Sequence, residues 1–200
     1  MKKKFLLYSL LAGALCFGGC NNDDDSTGSS RADVSLRSGD ISSASNTRTT
    51  ATDIPGVDSV VVSVASLTVQ VGGQSVTFNK EEGKGYVDLL HFESKDTLIW
   101  SDETLPIGEV ESAILGLDKN EDSYVIETGS DTPANLKVAH KELSFDVEYD
   151  SALATNTKYI LKLDMDGSLR LVANGNGDYV LQQGTAGAPK EGVLYIEKVQ

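Results

Sequence analysis

The side chains of this sequence that could do chemistry are mostly oxygen donors. Asp164-Met165-Asp166-Gly167-Ser168 sets two carboxylates on one face of an extended segment beside a glycine turn, where their repulsion is relieved by a cation or a hydrogen-bond donor between them. Hard cations take such ligands, which makes Asp164 and Asp166 a candidate calcium pair. The competing reading is two solvated carboxylates near Lys162 and Arg170. Asp118-Lys119-Asn120-Glu121-Asp122 opens like an EF-hand loop, but Ser123 stands at the turn-glycine position and Gly129 where the bidentate Glu belongs. That segment therefore reads as a hairpin turn. Trp100, the only tryptophan, follows Leu98 and Ile99. With Tyr86, Tyr124 and Tyr195 it either forms a ligand-stacking platform for the apolar face of a sugar ring or fills the core.

Other chemistry finds little support. The two histidines, His91 and His140, lie far apart and in no metal-ligand spacing. No serine sits in a Gly-x-Ser-x-Gly elbow, and the glycine pairs lack the strand-to-helix context of a phosphate loop. Paired acids such as Asp164 and Asp166 can do acid-base work, but no third group accompanies them. The expectation is a protein that is not an enzyme, with no catalytic residue and no cofactor beyond calcium as a candidate.

Two hundred residues with 40% apolar side chains suffice for one hydrophobic core. Seventeen basic against thirty acidic residues leave a net charge of −13, which argues against nucleic acid or an anionic membrane as a partner of a basic face.

Lys2, Lys3 and Lys4 precede an apolar run from Phe5 to Leu15, too short to remain as a transmembrane anchor and suited to a cleaved export signal. Phe17-Gly18-Gly19-Cys20 follows and resembles the lipobox of bacterial lipoproteins, with Phe17 in place of the usual Leu. Cys16 is the rival, but Leu15 before it is a poor cleavage residue. This resemblance implies that residues 1–19 are removed and that Cys20 is acylated as the first mature residue. The mature charge is then 14 − 30 = −16, and no thiol remains for a disulfide or a cysteine metal site. Asn21, Asn22, Asp23, Asp24 and Asp25 resemble the surface-export signal of many lipoproteins of the Bacteroidota. The plainer reading is a solvated spacer. Together these features lead us to expect an outer-membrane lipoprotein, exposed at the cell surface and joined to the membrane through Cys20.

Thirteen of the twenty-seven residues from Ser26 to Thr52 are Ser or Thr, so residues 20–50 read as a lipidated, Asp- and Ser/Thr-rich flexible tether. Within it, Ala32–Arg37 alternates as a short edge strand would. From residue 51 to 200 the period is two almost throughout, which predicts an all-β domain. Val60, Val62 and Val64 lie on one parity and Leu67, Val69 and Val71 on the other, which predicts a β-bulge at Ala65-Ser66. Val71-Gly72-Gly73-Gln74 predicts a tight hairpin, and Asn174-Gly175-Asn176-Gly177 another turn. Further strands are expected at 86–92, 97–100, 110–117, 123–128, 143–149, 159–165, 168–172, 179–182 and 193–199. Ten or so short strands point to an antiparallel β-sandwich, immunoglobulin-like or transthyretin-like.

Several blocks then resemble, in order and spacing, those of the domain-of-unknown-function family 4382. They are Thr52-Asp53-Ile54-Pro55 with Val57 to Val62, Val87-Asp88-Leu89-Leu90, Leu105-Pro106-Ile107-Gly108, and Leu163-Asp164-Met165-Asp166 with Asn174 to Leu181. The resemblance covers roughly residues 50–182. It implies a compact β-sandwich on an exported lipoprotein and no known activity. The family's strand before its Thr-Asp-x-Pro block is here missing or displaced to residues 32–37. A Tyr and an Arg usual after its Leu-Pro-x-Gly block are replaced by Val110 and by Ala113 or Ile114, so any anion held by that arginine would lose its partner here.

The functional expectation is a surface-anchored, non-enzymatic binding or adhesion module whose partner is an extracellular glycan or protein. One alternative is a structural subunit of a pilus-like or envelope assembly. In it the strand at Val193-Leu194-Tyr195-Ile196, after the Gly184–Gly192 linker, pairs in cis or is donated in trans. Another alternative is a calcium-dependent glycan-binding accessory protein.

Overall fold

A computed structural model of the chain describes residues 28–37, 41–43, 56–80, 85–90, 97–118, 122–138, 141–148, 152–174, 176–184 and 191–200. They form fifteen strands and, among the described residues, no α-helix. These are β1 (Ser29–Arg37), β2 (Ile41–Ser43), β3 (Val57–Val71), β4 (Gln74–Asn79), β5 (Tyr86–Asp88), β6 (Thr97–Pro106), β7 (Gly108–Leu117), β8 (Ser123–Glu127), β9 (Ala134–Val138), β10 (Glu142–Val147), β11 (Ala152–Leu153), β12 (Lys158–Asp164), β13 (Leu169–Ala173), β14 (Tyr179–Gln182) and β15 (Gly192–Lys198). The all-β expectation holds. The order is β2-β13-β14-β9-β8-β3-β7-β10-β15-β12-β1-β6, with β4 and β5 also on β3 and β11 on β7.

The sheet is mixed, which corrects the expectation of purely antiparallel pairing. β1 with β12, β10 with β15, β13 with β2 and β14 with β9 all run parallel. Parallel neighbours need long crossovers, and those crossovers are what carry the chain between distant parts of the sheet here.

β3 is fifteen residues long because it serves two regions. Val60, Val62 and Val64 are fully buried, and so are Leu67, Val69 and Val71 on the opposite parity. The pairing with β7 skips between Val64 and Ser66, so the expected bulge is present and returns both apolar sets to the core. Before the bulge β3 pairs with β8 and β5, and after it with β7 and β4. The chain leaves the sheet on both sides at this level. The Lys80 amide donates to the Ala65 carbonyl and the Asp118 amide to that of Ser63, each at 2.8 Å. Lys80 Nζ and Asp118 Oδ2 then meet at 2.9 Å, largely shielded from solvent. Because β7 and β8 both run antiparallel to β3, they are parallel to each other. Residues 119–121, on which the expected hairpin turn falls, lie outside the described residues.

The expected hairpin at Gly72-Gly73 joins β3 to β4, with φ of +55° and +74° that glycine adopts without a Cβ clash. β6 continues to Pro106, past the expected end at Trp100, and Asp102 absorbs a kink with φ of +57°. β9 was not expected, having only Leu136 and Val138 as large apolar residues, both of which are buried.

The main correction concerns β1. It is an interior strand rather than an edge, seated between β12 and β6 with Ala32, Val34 and Leu36 fully buried. Its outward side chains hold it in place. Asp33 meets Lys158 Nζ at 2.9 Å and accepts the Asp102 amide at 2.8 Å, and Arg31 donates to the Asp102 carboxylate at 3.0 Å. The fit is imperfect at Ser35, whose hydroxyl is buried without a hydrogen-bond partner among the described residues. β15 lies between β10 and β12 of its own chain, so the terminal strand pairs in cis. Leu36→Ala, by opening a cavity in a shared core, is expected to cost about 2–5 kcal/mol. Arg31→Ala, which removes an exposed ion pair, should cost under about 1 kcal/mol. Urea unfolding of both variants checks this, and a neutral Leu36→Ala would mean that β1 is not part of the core.

Candidate functional site

Cys20, Asn21, Asn22, Asp23, Asp24 and Asp25, as well as His91 and His140, lie outside the described residues. The remaining candidates can be placed.

Trp100 is not an exposed platform. Its side chain is 5% exposed and its indole N–H donates to the Asn79 carbonyl at 3.0 Å. It bridges β6 to β4 across a seam where the two strands have no ladder, so the core-filling alternative is the one observed. Tyr195, on β15 opposite Lys162, is raised above the ordinary tyrosine pKa by burial and by its hydrogen bond to Glu148. Tyr86 and Tyr124 do come together. Tyr86 pairs with Ser63 and Tyr124 with Val61, from opposite sides of β3. Since residues 61 and 63 share a face, both rings rise from it. Their centroids are 6.2 Å apart and the planes are tilted by 49°, and Tyr86 is 55% exposed.

Asp164 and Asp166 are brought into one tight turn, where Asp164 Oδ1 accepts the Asp166 amide at 2.9 Å. Gly167, with φ of +65°, and Ser168, whose hydroxyl donates to the Met165 carbonyl at 2.9 Å, complete it. The donor that relieves the first carboxylate is thus the backbone of the second. Among the described residues no group of three His, Cys, Asp or Glu side chains is arranged to hold a metal ion.

Two other polar residues of the sequence blocks, Asp88 and Asn174, also serve the backbone. Asp88 Oδ1 accepts the amides of Val60 and Leu90, at 3.1 and 3.0 Å, fastening β5 to β3. Asn174 Oδ1 accepts the amides of Asn176 and Asp178, both at 3.1 Å, and so builds the β13–β14 turn. At Leu105-Pro106-Ile107-Gly108, a Cβ on Gly108 would lie 3.2 Å from Gly72 Cα, so two turns touch there and glycine lets them.

Sequence reasoning missed a second acid pair. Glu191, just before β15, hydrogen-bonds Asp146 on β10, and this contact, with some burial, raises the Glu191 pKa. Glu191 also lines a recess of about 200 Å³ with Glu142, Ser144 and Gln183. There the Gln183 side chain completes the open edge of β10, accepting the Ser144 amide at 2.7 Å and donating to its carbonyl at 3.0 Å. Residues 146 and 191 are far apart in sequence, and only the parallel β10–β15 pairing makes them neighbours.

The family described as Domain of unknown function (DUF4382) matches residues 46–182, and the chain belongs to it. No curated protein and no solved structure matches the chain. β1 and β15 both fall outside the matched segment.

Tyr179, on β14, donates its phenolic hydrogen to Glu127 Oε1 on β8 at 2.7 Å. Burial, reinforced by that carboxylate, pushes its pKa up to about 12. The fold therefore holds the neutral phenol. Its contribution is complete below the ordinary value of 10 and is withdrawn as pH rises from there toward about 12. Tyr179→Phe should cost about 1 kcal/mol at pH 8, and the gap from wild type should close across that alkaline window. A gap that stays constant in unfolding experiments from pH 8 to 12 would contradict this assignment.

Proposed function

We propose that this protein is a cell-surface lipoprotein, anchored in the outer membrane through acylated Cys20, whose β-sandwich is a non-enzymatic binding or adhesion module. We further take the sandwich to be immunoglobulin-like or transthyretin-like, with its two layers meeting along β3. The charged n-region, the short apolar run and the Phe17-Gly18-Gly19-Cys20 block support the anchor, and Asn21 to Asp25 support surface export.

The observation that carries the reading is the short distance between Cys20 and the first strand. β1 begins at Ser29, so the stretch from Cys20 to Ser29 reaches at most about 32 Å. The end of the domain that carries Ser29 also carries the Pro106–Gly108 and Gly72-Gly73 turns and the Asn156 amide, which donates to Ser29. That end faces the bilayer. The two tyrosines pair with β3 eight to ten residues before Val71, about 26–33 Å of strand further out. An aromatic pair held away from the membrane, with Tyr86 exposed, suits capture of something outside the cell.

In cells, Cys20→Ala should abolish labelling by radioactive palmitate and release the protein from the membrane fraction. Wild-type protein should be degraded when intact cells are treated with proteinase K. Wild-type protein that resists protease on intact cells but not in lysates would place it inside the envelope and overturn the surface reading.

A further inference from the structure

We infer that Tyr86 and Tyr124 form a stacking site for a neutral sugar ring on the outer face of the sheet around β5, β3 and β8. This inference rests on the binding-module reading and gives it a site and a ligand class.

The two rings stand on either side of β3, over Val61 and Ser63. Both of those residues are buried although they point away from the core that holds Val60 and Val62. The two rings lean together over these buried residues, tilted by 49°, and the outer ring, Tyr86, is more than half exposed. Aromatic faces of this kind match the apolar C–H face of a pyranose. Asn135 is the direct cross-strand neighbour of Tyr124 and is exposed, which places an amide donor and acceptor beside the rings at the spacing of paired side chains. A ring sugar needs that combination of an apolar plane and a polar edge.

Size and charge exclude the other occupants. Two tyrosine side chains offer a few hundred Å² at most, well below the roughly 800 Å² per partner of a stable protein interface. The net charge of −13 disfavours polyanions. On the outer face around β12 the exposed tyrosine, Tyr195, stands beside charged side chains, Lys162 and Glu148, instead of a second ring.

The test is affinity electrophoresis of the full mature protein through gels containing mannan, xylan, laminarin or galactan, with alginate as an acidic probe and binding to intact bacterial cells scored in parallel. We expect retardation by at least one neutral polysaccharide. Tyr86→Ala and Tyr124→Ala should weaken it about tenfold or more, Tyr86→Phe should largely keep it, and Tyr195→Ala should leave it unchanged. Circular dichroism of each variant reports folding. If retardation survives Tyr86→Ala and Tyr124→Ala, the site is wrong and the binding-module reading stands. If only alginate or whole cells are bound, the ligand class is wrong and the reading again stands. No binding to any probe or cell overturns both.

Discussion

Strand β12 needs hydrogen-bond partners along both edges, and it finds them in the two ends of the chain. β1 runs parallel along one side and β15 antiparallel along the other. Without them, a row of backbone N–H and C=O groups would be buried unpaired, and Leu161 and Leu163, both fully buried, would lose their neighbours. Polar contacts hold both flanks. Lys158 and the Asp102 amide hold the Asp33 carboxyl below its usual pKa of 3.8, so this clasp is intact above that pH and is given up only as pH falls further. Lys162 reaches Glu197 on β15 at 2.9 Å. The family match stops short of both terminal strands, so the matched segment contains β12 without either of its neighbours.

The second organising feature is the length of β3. One continuous strand passes through both regions of the sheet, and its bulge changes which face points inward without breaking the ladder for long. The Lys80–Asp118 pair joins the two chain segments that leave the sheet at that level. Neither partner of this contact is well solvated. The same strand separates the end that carries Ser29 from the tyrosine face, so the route from sequence to proposed function runs through an element that is structurally necessary for other reasons.

Much of the β3 region was legible in advance because its signals are local. The parity change at Ala65-Ser66 and the glycine pair at 72–73 each state their structure within a few residues. The place of β1 was not legible. Its three inward residues, Ala32, Val34 and Leu36, sit in a Ser- and Thr-rich stretch, and alternation reveals a strand without revealing its neighbours. Its partners, β6 and β12, lie far along the chain, so no short turn announces either pairing. The site was legible in part. Tyr86 and Tyr124 were among the aromatic candidates, but Trp100 was not separable from them, since exposure depends on the seam with β4 and on Asn79. Asp164 and Asp166 read as a candidate pair because a carboxylate that accepts a backbone amide has the same local sequence as one that holds a cation. The Asp146–Glu191 contact left no sequence signal at all.

Native-state hydrogen–deuterium exchange, read peptide by peptide, tests the central claim that the two chain ends close the sheet around β12. The account predicts that amides of residues 31–37, 158–164 and 193–198 share the slowest exchange in the protein and open together with global unfolding. Fast, tether-like exchange of residues 31–37 while 158–164 stays protected would contradict it, because β12 would then be held without β1.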